Sequence, residues 1–69
     1  MVSVIGYKVI GGITIVELIA LSTDKLPVGE EMIQGYRMTN GSTALIKDKE
    51  KNTTNVKFYD EENNEWEEL

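Results

Sequence analysis

The sequence contains neither cysteine nor histidine among its 69 residues. Without these residues the chain cannot form a disulfide, a zinc site of thiolates and imidazoles, or a nucleophile paired with a histidine base. Its neighbouring carboxylates point to opposite faces wherever they lie in strands, so they do not form catalytic pairs. We therefore expect a protein that is not an enzyme, with no catalytic residues, no cofactor and no metal. The absence of cysteine also favours a cytoplasmic setting.

Long uninterrupted apolar runs and an excess of positive charge are also missing. Lys8 and Glu17 interrupt the apolar amino-terminal region, which therefore lacks the roughly 18 consecutive apolar residues expected of a membrane helix. It also lacks the basic start of a signal peptide. The net charge of −5 opposes contact with a nucleic-acid backbone. We expect neither membrane nor direct nucleic-acid binding.

The chain is short enough to form a single domain, residues 1–69. A domain of this size buries only about 60% of the surface of its unfolded chain, so its core is small. Since disulfides and structural zinc are excluded, close packing and oligomerisation are the remaining means of stabilisation.

The fold is organised around a long apolar hairpin that extends from Val2 to Ser22. Gly11-Gly12 joins two runs of β-branched residues and predicts a two-residue turn, with Ile10 opposite Ile13. In this register neither face of the hairpin is polar, although an antiparallel hairpin with one solvated face alternates between apolar and polar residues. Both faces therefore need cover.

Shorter strands follow the hairpin. We predict strands at residues 30–39, 42–47, 55–59 and 65–69, with Asn40-Gly41 as a type I′ turn between the first two of these. The expected fold is all-β, a five- or six-stranded antiparallel meander that closes into a small SH3-like barrel or a compact sandwich. Closure or stacking would cover the second face of the hairpin.

The charges are unevenly distributed near the carboxyl end. Residues 60–69 hold six of the twelve acidic residues and no basic one, whereas residues 47–57 hold four of the seven basic residues. The segment from Asp60 to Glu65 has the oxygen-rich composition of a calcium loop but lacks the glycine that the sixth position of such a loop requires. We expect a solvated turn followed by a frayed end, with Trp66 as its anchor.

Two functions are compatible with these features. The first is a small protein-binding or assembly module that associates with itself or with another protein, with Ile13, Ile15 and Ile19 in the contact. The alternative is an acidic inhibitor that occupies a partner's basic groove by imitating nucleic-acid phosphates. The interface residues expected for this alternative lie near the carboxyl end of the chain: Asp60, Glu61, Glu62, Glu65, Trp66, Glu67 and Glu68.

Overall fold

The computed structural model describes residues 1–68 and confirms the all-β prediction. Within those residues the chain forms seven strands, which are β1 Ser3–Ile10, β2 Ile13–Leu21, β3 Met32–Ile33, β4 Tyr36–Arg37, β5 Thr43–Asp48, β6 Thr53–Asp60 and β7 Glu65–Glu68. Leu69, which the last predicted strand included, lies outside the described residues. No helix within residues 1–68 is long and apolar enough to cross a membrane.

Five strands form one mixed sheet in the order β1-β2-β5-β6-β7, and β3 and β4 form a separate small hairpin. The prediction of a purely antiparallel meander is wrong at one junction, because β5 lies beside β2 and runs parallel to it. A parallel neighbour requires a crossover that returns the chain to the opposite end of the sheet. Residues 22–42, hereafter the crossover segment, make this connection. No pairing that closes the sheet into a barrel is found among residues 1–68.

The predicted strand at residues 30–39 is also wrong. The chain reverses at Gln34 and Gly35, whose positive φ angles of 51° and 87° turn β3 back onto β4. Asn40-Gly41 is a turn with Gly41 at a φ of 91°, as its composition predicts, but it does not join two paired strands. Instead it leads the crossover segment into β5, which pairs with β2 and β6.

The register of the first hairpin is confirmed over most of its length. Gly11 and Gly12 both have positive φ angles, and the pairing from Ile10 with Ile13 to Gly6 with Glu17 is the predicted one. A bulge between Val4 and Gly6 then shifts the register, so that Val4 lies opposite Leu18. The bulge occurs beside Gly6, and a glycine within a strand is typical of such bends.

The core lies on one face of the sheet, hereafter the inner face. Strand alternation places the buried side chains Val16, Leu18, Ala20, Ala44, Ile46 and Tyr59 on this face. The crossover segment covers them with the buried Met38 and several partly buried residues. The predicted register places Tyr7 and Ile5 on the same face as Val16 and Leu18, but they are 60% and 53% exposed because β1 is an edge strand and bulges at Ile5.

Two aromatic residues attach the crossover segment to the sheet. The indole nitrogen of Trp66 donates to the carbonyl of Pro27 over 2.9 Å, and the Tyr59 hydroxyl accepts from the amide of Gly29 over 2.7 Å. The two rings meet edge to face with their centroids 5.1 Å apart. Trp66 is therefore an anchor, as predicted, and it belongs to the covered side of the sheet.

Candidate interaction surface

The opposite side of the sheet, hereafter the outer face, has an apolar centre and lacks a covering segment among residues 1–68. The predicted contact residues Ile13, Ile15 and Ile19 all lie here, because they alternate with the buried residues of β2. Ile13 is 53% exposed and Ile19 is 40% exposed. Ile15 is half-buried. Its Cδ1 atom lies beside Gly41, 3.5 Å from the position that a Cβ atom would occupy on that glycine.

The register across the sheet extends this surface beyond β2. Ile19 lies opposite Leu45 of β5, and Leu45 lies opposite Val56 of β6, so the three side chains form one apolar row. The half-buried Phe58 lies on the same face. A hairpin turned at Asn40-Gly41 would place Leu45 on an inward row with Met32, Tyr36 and Met38, but Leu45 lies on the outer face and Met32 is exposed.

A charged residue of the outer face is displaced from its apolar centre. Glu17 lies between Ile15 and Ile19 in sequence, but one of its carboxylate oxygens lies 3.5 Å from where a Cβ on Gly6 would be. The carboxylate therefore extends over the side-chain-free position of β1. Lys8 and Glu17 share a face in the predicted register and are close enough in it to pair, but no ion pair between them within 4.0 Å occurs in the described part of the chain.

Both edges of the sheet carry features that disfavour strand addition. The β1 edge is interrupted by its bulge, and the Val4 amide donates to the side chain of Gln34 over 2.7 Å. The β7 edge consists of Glu65, Trp66, Glu67 and Glu68, three of which are acidic. Bulges and charged residues on edge strands are the usual protection against edge-to-edge pairing. The outer face is thus more available for association than either edge.

The acidic residues at positions 60–68 do not form one continuous surface. Glu61 accepts a hydrogen bond from Arg37 over 3.3 Å, and Glu68 lies 3.9 Å from the ammonium group of Lys57. Trp66 is on the inner side, as described above, and Glu62 is an exposed residue of the β6–β7 turn. The remaining predicted residues, Asp60, Glu65 and Glu67, have carboxylate oxygens within 4.8 Å of one another. Exposed carboxylates of this kind are ordinary in acidic turns, so they do not define a metal site.

Hydrogen bonding and charge repulsion act differently on two of these carboxyl groups. The side-chain amide of Asn63 donates to Asp60 over 2.7 Å and is the main reason why the pKa of Asp60 is lowered. The negative charge of Asp60 in turn raises the pKa of Glu67, with a smaller contribution from partial burial. Ionised Glu67 is thus less favourable in the folded chain than in the unfolded chain.

Replacing Glu67 by glutamine is expected to raise the thermal unfolding midpoint slightly at neutral pH. The raised pKa means that repulsion destabilises the fold when Glu67 is ionised, and this penalty disappears as the pH falls below its unfolded pKa. The difference between variant and parent should therefore narrow in acid, which calorimetry across a pH series would measure. Glu68→Gln removes the same charge beside Lys57 and serves as the control. Equal shifts for both variants would refute local repulsion by Asp60.

Comparison of the chain with known protein families, with curated proteins and with solved structures finds no match.

Proposed function

We propose that this protein is a small non-catalytic assembly module that binds protein, and first of all a second copy of itself, through its outer face. The observation that carries the proposal is the apolar row formed by Ile19, Leu45 and Val56, flanked by Ile13, Ile15 and Phe58. Contiguous exposed apolar surface of this kind is typical of interaction sites on soluble domains. The lack of histidine and cysteine supports the non-catalytic part of the proposal, and a cytoplasmic setting remains our expectation.

A second copy fits this surface for a geometric reason. Two sheets pack face to face about 10 Å apart, with side chains from the two facing surfaces filling the space between them. One copy of the outer face supplies half of such a packed layer, and a symmetric dimer would supply the other half. The result would be a sandwich built from two chains, in which the crossover segments remain on the outside.

Introducing a lysine at Ile19 tests the proposal. Ile19→Lys places a charge in the apolar row and should shift the protein toward monomer, as measured by gel filtration with light scattering. Val9→Lys is a matched control, because Val9 is a 60% exposed β-branched residue whose side chain lies on the other side of the same hairpin. It should leave the association state unchanged. Circular dichroism would show whether both variants fold. If Ile19→Lys does not fold, Ile13→Lys is the outer-face variant to use in its place.

A folded parent protein that stays monomeric at high micromolar concentration would contradict self-association. That outcome would favour the closed SH3-like barrel, in which a single chain covers its own second face. Equal dissociation by Ile19→Lys and Val9→Lys would also contradict the proposal, since charge alone would then explain the change.

The charge-mimic function is the second candidate, and the grouping of Asp60, Glu65 and Glu67 is the observation that favours it. It receives less support, because Arg37 and Lys57 already engage two of the other acids. Salt separates the two candidates. A basic partner should be captured from the native host only at low ionic strength, whereas contacts through the apolar face should persist at high ionic strength.

A further inference from the structure

The charges of this protein are segregated along the strand direction. Strands β2 and β5 run parallel toward the β5–β6 turn, and β6 returns from it toward the β6–β7 turn. The first of these turns and the two strand residues before it, residues 47–52, carry three lysines and two acids and are hereafter the basic end. The second carries four acids and no base in residues 60–65, hereafter the acidic end. The two ends lie on opposite sides of the apolar row of Ile19, Leu45 and Val56.

Hydrogen bonds within the chain turn one carboxylate of each end, Asp48 and Asp60, toward its own loop. At the basic end, the Asp48 carboxylate accepts from the amides of Glu50 and Lys51 at 3.0 and 3.2 Å and is turned into its own loop. Lys47, Lys49 and Lys51 are all exposed, as is Glu50, so the basic end keeps an excess of positive charge. At the acidic end, Arg37 neutralises Glu61 alone, and Glu62 and Glu65 remain exposed. The two ends therefore present opposite charge to a molecule stacked on the outer face.

We infer that two copies stack their outer faces with opposite strand directions, so that the acidic end of each copy lies against the basic end of the other. This inference rests on the proposed function, in which a second copy covers the outer face. Aligned sheet packing permits two symmetric arrangements, with a two-fold axis along the strands or across them. Both bury the same apolar surface, so apolar burial does not select between them.

Charge does select between the two arrangements. An axis along the strands places the two acidic ends side by side, where their like charges repel each other. An axis across the strands separates the acidic ends by the length of the sheet and places each beside the three exposed lysines of the other copy. In this arrangement β6 stacks on the partner's β6, with Thr54 near the partner's Asp60 and Val56 near the partner's Phe58.

Site-directed crosslinking tests this orientation, and the natural absence of cysteine makes every introduced thiol unique. Thr54→Cys marks the basic end of the outer face, and Glu65→Cys marks its acidic end, since Glu65 pairs with Asp60 across β6 and β7. The two variants are purified separately, mixed, and treated with a short bismaleimide. We expect a crosslinked dimer from the mixture and little from either variant alone.

Asn55→Cys is the control, because Asn55 is the exposed neighbour of Thr54 on the opposite side of β6. Mixed with Glu65→Cys, it should give no crosslinked dimer above the background of random collisions. High salt should lower the yield from the Thr54→Cys and Glu65→Cys mixture only in part, since it screens the contacts between the charged ends while the apolar contacts of the outer face persist.

The outcomes that overturn the orientation differ from those that overturn the proposed function. Efficient crosslinking of Thr54→Cys or Glu65→Cys with itself would mean that like ends of the two copies meet. This result would refute the inferred orientation, but the outer face would remain the interface. A dimer that dissociates on Ile19→Lys but gives no crosslink from the mixture would also refute this orientation. Absence of any dimer in the parent would refute both proposals.

Discussion

Replacing Leu18 by alanine is expected to lower the free energy of unfolding by about 2–5 kcal/mol, the usual range for a buried leucine. The Leu18 side chain is fully buried and lies near the middle of β2, between Val4 on β1 and Ala44 on β5. The hydrogen-bonded strands on both sides prevent β2 from moving into the cavity, so little of the lost packing is recovered. At about 0.05–0.15 kcal/mol per residue, the whole domain has a stability of roughly 3–10 kcal/mol. A loss near the upper end of the first range would leave a domain at the lower end of the second largely unfolded at room temperature.

Chemical denaturation followed by circular dichroism measures this loss. Ile19→Ala is the matched control, because Ile19 is the next residue of the same strand and is 40% exposed on the outer face. It should cost less than about 1 kcal/mol, in the range of surface substitutions. Both variants are compared at a low protein concentration, since dimerisation would add stability that depends on concentration. Equal losses would contradict the assignment of the core to the inner face.

The local features of the fold could be predicted from sequence. Gly11-Gly12 fixes the first turn, because two successive glycines supply the positive φ angles that a tight hairpin needs. Once this turn is set, a strand period of two residues determines the register as far as Gly6. The bulge at Ile5 is less predictable, since a glycine in a strand indicates that a bulge is tolerated but does not specify the residue at which it forms.

The long-range pairing could not be predicted in the same way. Asn40-Gly41 is a strong hairpin signal, and it led to an antiparallel pairing of residues 30–39 with residues 42–47. The structure instead turns at Gln34, a residue that carries no strong sequence signal for its positive φ angle. The parallel pairing of β5 with β2 depends on packing of the crossover segment against the inner face, which a local pattern does not encode.

The candidate surface could be predicted only in part, because some of its residues are brought together by the same long-range pairing. Ile13, Ile15 and Ile19 share a face by strand alternation alone, so the sequence indicates their grouping. Leu45, Val56 and Phe58 join them only through the registers of β5 and β6, and the mistaken pairing of β5 concealed the contribution of Leu45. The acidic residues were grouped by their proximity in sequence, whereas their ion pairs and opposite side-chain directions divide them.

Ser42 is a residue whose importance is apparent only from the structure. It is the one buried polar residue of the described chain, at 0% exposure, and it lies just before β5. Its hydroxyl oxygen accepts from the amides of Val16 and Thr39 at 3.2 and 3.3 Å. Thr39 donates its own hydroxyl hydrogen to the carbonyl of Thr14 over 2.6 Å, so the Ser42 hydroxyl is the donor in its 3.3 Å contact with the Thr39 hydroxyl. This network fastens the end of the crossover segment to β2.

Ser42→Ala is therefore expected to lower the free energy of unfolding by about 1–3 kcal/mol, the cost of leaving buried polar groups without a partner. The methyl group of alanine cannot accept a hydrogen bond, so the Val16 and Thr39 amides lose their acceptor. Denaturation measures the loss, and hydrogen exchange should show faster exchange at these two amides. Ser22→Ala is the control, since Ser22 is exposed and its known hydrogen bond to Lys47 uses the backbone amide. It should change the free energy of unfolding by no more than about 0.5 kcal/mol. If the two variants were equally stable, the hydroxyl of Ser42 would not be what holds the crossover segment against β2.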